Sequence, residues 1–85
     1  MRVLIPSSLR SYTERGEVEV RGGALGAVLA ELDRLYPGIR FRMIDEQDRI
    51  RPHIRLFVNG TQVRDLAQTL DAKHELVIVQ ALSGG

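Results

Sequence analysis

Residues Glu17–Gly38 read EVEVRGGALGAVLAELDRLYPG, and the period of their apolar positions changes partway along. Val18 and Val20 alternate with charged neighbours, the two-residue repeat of a strand covered on one face, and the pattern stops at Gly22 and Gly23. From Ala24 the apolar positions become Leu25, Val28, Leu29, Leu32 and Leu35, one stripe of a helix that Tyr36-Pro37-Gly38 brings to an end. A strand that passes through two glycines into a long amphipathic helix needs a sheet beneath that stripe, and the rest of the chain must supply it.

Toward the N-terminus, Val3 and Ile5 alternate with Arg2 and Leu4 before Pro6 and two serines, so a strand runs into a turn. Paired across SYTERG with the Val18–Val20 strand, it gives an N-terminal hairpin. Past the helix, IRFRMIDEQDRIRP (39–52) reads as a helical turn or two through Ile39, Met43 and Ile44, with Phe41 fitting either period, followed by a charged loop. HIRLFVNG (53–60) returns to alternation, with Ile54, Leu56 and Val58 on one face and His53, Arg55 and Phe57 on the other. Asn59-Gly60 is a strong hairpin-turn signal, and TQVRDL supplies a short return strand. AQTLDAKHE reads as a turn anchored by Leu70, and ELVIVQAL is the near-continuous apolar run of a strand inside a sheet. The expected class is α+β, a mixed sheet of four to five strands with one main helix packed across it.

Eighty-five residues build one small domain with a single core. Twelve basic residues against eleven acidic ones leave a charge of +1, and the arginines are scattered without a run, so nucleic acid is not a favoured partner. Two Phe and two Tyr are too few for a base-stacking platform. No segment has the length of a membrane span, and MRVLIPSSLR lacks the apolar core of a signal peptide, which makes a cytoplasmic location the expectation, with no membrane partner. The absence of cysteine removes a disulfide framework, a thiolate metal site and a thiol nucleophile together.

The remaining polar residues form no recognisable chemistry. His53 and His74 have no second ligand at metal spacing and read as surface histidines, and no metal is expected. Asp45, Glu46 and Asp48 lack the glycine and the terminal acid of a calcium loop, so they read as a solvated loop. Gly22, Gly23 and Gly26 lack the Lys-Ser/Thr ending of a phosphate loop, and Ser7, Ser8 and Ser11 have no base and acid at triad spacing.

The segments MRVLIPSSLR, LGAVLAEL, LFVNG and ELVIVQALSGG together resemble the ThiS/MoaD family of ubiquitin-like sulfur carriers, CysO-like members above all, over essentially the whole chain. The most specific part of the likeness is the combination of an Asn-Gly turn, a final apolar strand and the Gly84-Gly85 pair. The resemblance implies a β-grasp domain over residues 1–82, with its first and last strands parallel at the centre of the sheet, and a flexible tail over 83–85. It also implies a protein substrate rather than an enzyme. An E1-like adenylating enzyme of the ThiF/MoeB kind would activate the Gly85 carboxylate with ATP, and this chain itself would bind no cofactor. Sulfur would displace AMP to leave a thiocarboxylate, which a sulfur-accepting synthase consumes; a metalloprotease joins the partners if an extension follows Gly85.

A carboxylate of pKa about 3.3 to 3.7 is an unreactive anion at neutral pH, which is why activation is needed. Gly84, with Ser83 and Leu82 before it, would let the backbone thread a narrow channel. Alternation places Phe57, Val77 and Val79 together on the face away from the helix, where the family docks its activating enzyme. The pathway favoured is cysteine-type. A ubiquitin-like modifier joined to lysines, or the small subunit of a molybdopterin-synthase-like complex, would use the same tail.

Overall fold

The computed structural model describes residues 1–81, and its elements follow the sequence closely. They are β1 (Arg2–Leu4), a 3₁₀ turn (Ser7–Leu9), α1 (Arg10–Thr13), β2 (Glu17–Glu19), β3 (Gly23–Ala24), α2 (Leu25–Leu35), α3 (Ile39–Met43), β4 (Ile54–Val58), β5 (Thr61–Gln62), β6 (Thr69–Leu70) and β7 (Leu76–Gln80). Five of the strands form one mixed sheet in the order β2-β1-β7-β4-β5. β1 and β7 run parallel at its centre, with Val3 beside Leu76 and Leu4 beside Val77. This is the expected β-grasp arrangement.

Burial follows the two periods of the sequence. Val3, Val18, Ile54, Leu56, Val58, Leu76 and Ile78 point to one face of the sheet, and Leu25, Val28, Leu29 and Leu32 of α2 lie buried against them. Ile39, Met43 and Ile44 extend that core past α3. Leu35, placed in the helix stripe by spacing alone, is 41% exposed, because α2 ends there and leaves no further turn of core for it to cover.

α2 begins without a side-chain cap. Its first two N–H groups are satisfied by the preceding loop's neighbour instead: Leu25 N–H donates to Gln68 O at 2.8 Å and Gly26 N–H to Leu66 O at 2.9 Å. The segment read as a turn anchored by Leu70 therefore does more than turn. Its residues Thr69 and Leu70 pair with Gly23 and Ala24 as a second, two-stranded sheet that pins the helix entry. At the other end, Asp33 Oδ1 accepts from Gly38 N–H at 3.1 Å and Arg40 N–H at 3.2 Å, which caps α3. Gly38 itself sits at φ +100.

Three local readings differ in detail. The N-terminal strands do pair antiparallel, Val3 opposite Val18, but the connection between them folds into the 3₁₀ turn and α1, whose buried Leu9 and Thr13 close one end of the core. The short apolar spacing of that segment gave neither period a long enough run to be recognised. The charged loop after α3 is a tight reversal: Asp45 Oδ1 accepts from Gln47 N–H at 2.9 Å and Arg49 N–H at 3.0 Å, while Ile44 and Ile50 bridge at its base. The histidines are half-buried rather than fully on the surface.

Candidate docking face and C-terminal strand

The face of the sheet away from α2 is built by the residues that alternate with the core. Phe57 of β4 stands directly opposite Val77 of β7, and Leu4 of β1 is the register partner of Val77 on its other side. These three half-buried side chains make one apolar row across three strands. Val79 follows two residues along β7, opposite Arg55, and is 39% exposed. The structure thus brings Phe57, Val77 and Val79 together. It adds Leu4, which the same two-residue period marked but which sequence reading did not connect to the patch.

Charge frames this row unequally. On the β1–β2 side, Arg2 bridges Glu17 at 3.3 Å and also pairs with Glu75, so one guanidinium serves two carboxylates there. On the β4–β5 side stand Arg55 and, across from Phe57, Gln62, whose amide oxygen accepts from Arg64 at 3.0 Å. An apolar row with charged borders has the composition of a partner-docking face, because the centre gains from losing water and the rim fixes orientation.

β7 links this face to the chain's end. It is paired on both sides, to β1 and to all five residues of β4, and the ladder continues one step further as Ala81 N–H donates to His53 O at 2.8 Å. Beyond that hydrogen bond come Leu82, Ser83, Gly84 and Gly85, the tail and reaction positions expected from sequence, together with the proposed boundary at residue 82; all four lie outside the described residues. At the start of this exit Ser8 Oγ donates to Gln80 Oε1 at 2.7 Å. Close by, Phe41 is 58% exposed with the Arg51 guanidinium 4.6 Å above its ring. The helical period through buried Ile39 and Met43 puts Phe41 on the opposite side of α3, a signal blunted in the sequence because an apolar ring also fits a strand.

Among the described residues no group of three or more His, Cys, Asp or Glu side chains is close enough to hold a metal ion, and no helix is long and apolar enough to cross a membrane. Asp45, read as part of a solvated loop, turns one carboxylate oxygen to backbone donors. Its carboxyl is held below the ordinary aspartate value chiefly by the Arg49 N–H, with burial opposing and the Gln47 N–H and the charges of Arg49 and Arg51 assisting.

Comparison with known proteins agrees with this architecture. The chain is 33% identical to the sulfur carrier protein CysO of Mycobacterium tuberculosis over 89 aligned positions, which cover 98% of this chain and 96% of that protein. The crystal structure of M. tuberculosis CysO superposes with a TM-score of 0.87 at 30% identity, covering 95% of this chain and 98% of the other. A crystal structure of the BexX/CysO complex from Amycolatopsis orientalis matches with a TM-score of 0.90 at 27% identity, covering 99% and 98%. The small archaeal modifier protein of Haloferax volcanii, 21% identical with a TM-score of 0.77 and coverage of 96% and 97%, shares the fold. The ThiS family model matches residues 3–85, from the first central strand through the glycine pair, and on that full-length match the chain belongs to the ThiS family.

Proposed function

We propose that this chain is a sulfur carrier protein, charged at Gly85 by an E1-like adenylating enzyme and discharged by a sulfur-accepting synthase of a cysteine-type pathway. The observation that carries the reading is the double role of β7: it presents Val77 and Val79 on the open face and leads from Ala81 into the Leu82–Gly85 segment. A partner seated on Leu4, Phe57 and Val77 therefore holds the strand that feeds its active site. Support also comes from the 33% identity, over nearly the full length, to the sulfur carrier protein CysO.

The chemistry is balanced by the partner's substrates. The Gly85 carboxylate attacks the α-phosphorus of ATP and releases pyrophosphate, giving an acyl-adenylate. A sulfide then attacks the carbonyl carbon, its S–H proton passes to solvent, and AMP leaves with its electron pair. The product is a thiocarboxylate, an anionic nucleophile on a protein handle. In this scheme the chain binds no cofactor of its own and contributes the docking face and the terminus.

Intact-mass measurement after incubation with the cognate enzyme, ATP and a sulfur source tests the reading. The expected product carries one sulfur in place of one oxygen, located at Gly85. An unchanged mass with an enzyme verified as cognate, or sulfur located elsewhere, refutes it; isopeptide conjugates to lysines dominating in cells make the chain a modifier instead.

A further inference from the structure

β5 holds only Thr61 and Gln62, and one further bond, Val63 N–H to Leu56 O at 2.8 Å, continues its pairing with β4. At the other end of β4 the 49–52 segment turns into the strand, with Ile54 N–H donating to Arg51 O at 3.0 Å. Between the two lies a groove of about 410 Å³ whose walls carry Arg49, Arg51, Arg55 and Arg64 around Ile50 and Leu56.

Three of these arginines differ from the ion-paired ones elsewhere in the chain and, like Arg10 on Ile5 O, donate to neutral oxygens. Arg2, Arg34 and Arg40 each pair with a carboxylate. Around the groove only Arg49 does so, with Asp45 at 3.6 Å. Arg51 donates to Phe41 O at 2.7 Å, Arg55 to the Pro52 carbonyl, and Arg64 to the Gln62 amide oxygen. Among the described residues these three have no carboxylate partner. Neutral oxygens orient the guanidiniums without cancelling their charge. Since the whole chain carries only +1, this concentration of positive charge leaves the remainder net acidic.

We infer that the groove receives an extended acidic segment of the adenylating partner, whose carboxylates pair with Arg51, Arg55 and Arg64. The inference rests on the carrier reading and deepens it, and Arg55, opposite Val79 on the open face, makes groove and docking face continuous. A planar guanidinium fork matches a carboxylate in two parallel hydrogen bonds, so several forks along a sheet edge suit acidic side chains spaced along a strand. A phosphate ligand fits less well: the groove has no glycine to offer a cradle of N–H groups and no lysine. Its lining also has no aromatic ring on which a base could stack.

The test is binding of the full chain to its adenylating enzyme without ATP, at low and at raised salt, run beside the charging assay. Wild-type affinity is expected to fall about tenfold or more as salt rises from tens to hundreds of millimolar. Arg64→Glu, which loses only a solvent-exposed bond to the Gln62 side chain, is expected to weaken binding about tenfold at low salt and to flatten the salt dependence. Arg51→Gln combined with Arg64→Gln repeats the effect without a new negative charge. Phe57→Ala weakens binding at both salts and keeps the slope.

Unchanged binding by Arg64→Glu with a native amide spectrum overturns the inference, as does a wild type that does not bind the enzyme. Displacement of the enzyme by inorganic phosphate, beyond chloride at equal ionic strength, overturns it in favour of a small-anion site; competition by a single-stranded DNA oligonucleotide does so in favour of nucleic acid. Salt-dependent binding lost in the arginine variants, with no sulfur ever acquired by wild type, refutes the carrier reading while the groove's role stands.

Discussion

Phe57 and Asp45 are set by different forces, and each has its own test. Phe57 is half-buried against Val77 on a face with no helix over it, so Phe57→Asp is expected to leave the fold intact. The same change puts a carboxylate where a partner must exclude water, a penalty of several kcal/mol if it finds no counter-charge, and charging should fail at subsaturating carrier. Unaltered charging kinetics would remove Phe57 from the docking face. Asp45 acts within the chain. Because its carboxyl is held below the ordinary value, its stabilising contribution is complete above the unfolded-state pKa and is lost as pH falls through the lowered, folded one. NMR titration of the Asp45 carboxyl carbon should show a midpoint below that of a free aspartate; a midpoint at or above it means that the Arg49 and Gln47 N–H bonds do not form.

The elements differ in how openly the sequence announced them. α2 and β7 were legible because each has a run long enough to show its period, and the Asn59-Gly60 turn because its two residues take the positive φ that the tight hairpin requires. α1, β3 and β6 were not, since each has four residues or fewer and draws its stability from neighbours rather than from a pattern of its own. Leu29 and Gly38 test the long helix and its exit. Leu29 is fully buried, so Leu29→Ala should cost about 2 to 5 kcal/mol, read from denaturant unfolding. Gly38→Ala meets two obstacles, a left-handed φ of +100 and a Tyr12 ring atom 3.2 Å from the new Cβ, and should cost more than about 1 kcal/mol. Loss of less than half that value would show that the α2–α3 corner yields easily.

On the scale of the whole molecule, the two-residue period of the strands and the helical stripe of α2 together contained the core, and the strand period contained the open face, while neither contained the arginine groove. Arg49, Arg51 and Arg55 lie within seven residues, just after acidic Asp45, Glu46 and Asp48, and Arg64 joins them only because β5 turns back beside β4. Charge of both signs in one stretch looks neutral to a linear reading. Function and stability should also separate at this scale: Gly84→Ala is expected to leave the thermal midpoint within error and to slow adenylation, since the alteration falls after Ala81, the last ladder hydrogen bond among the described residues. A lowered midpoint would show that Gly84 contributes to the fold.

The parallel pairing of β1 with β7, flanked by the antiparallel β4, also decides how the molecule bears load. A partner that draws the C-terminus into a channel pulls β7 along its own axis. The hydrogen bonds to β1 and β4 lie across that axis, so they are sheared together instead of being opened one at a time. Tension on the terminus is thereby shared among both ladders at the centre of the sheet, and the domain can be held by its last residues without being unzipped from them.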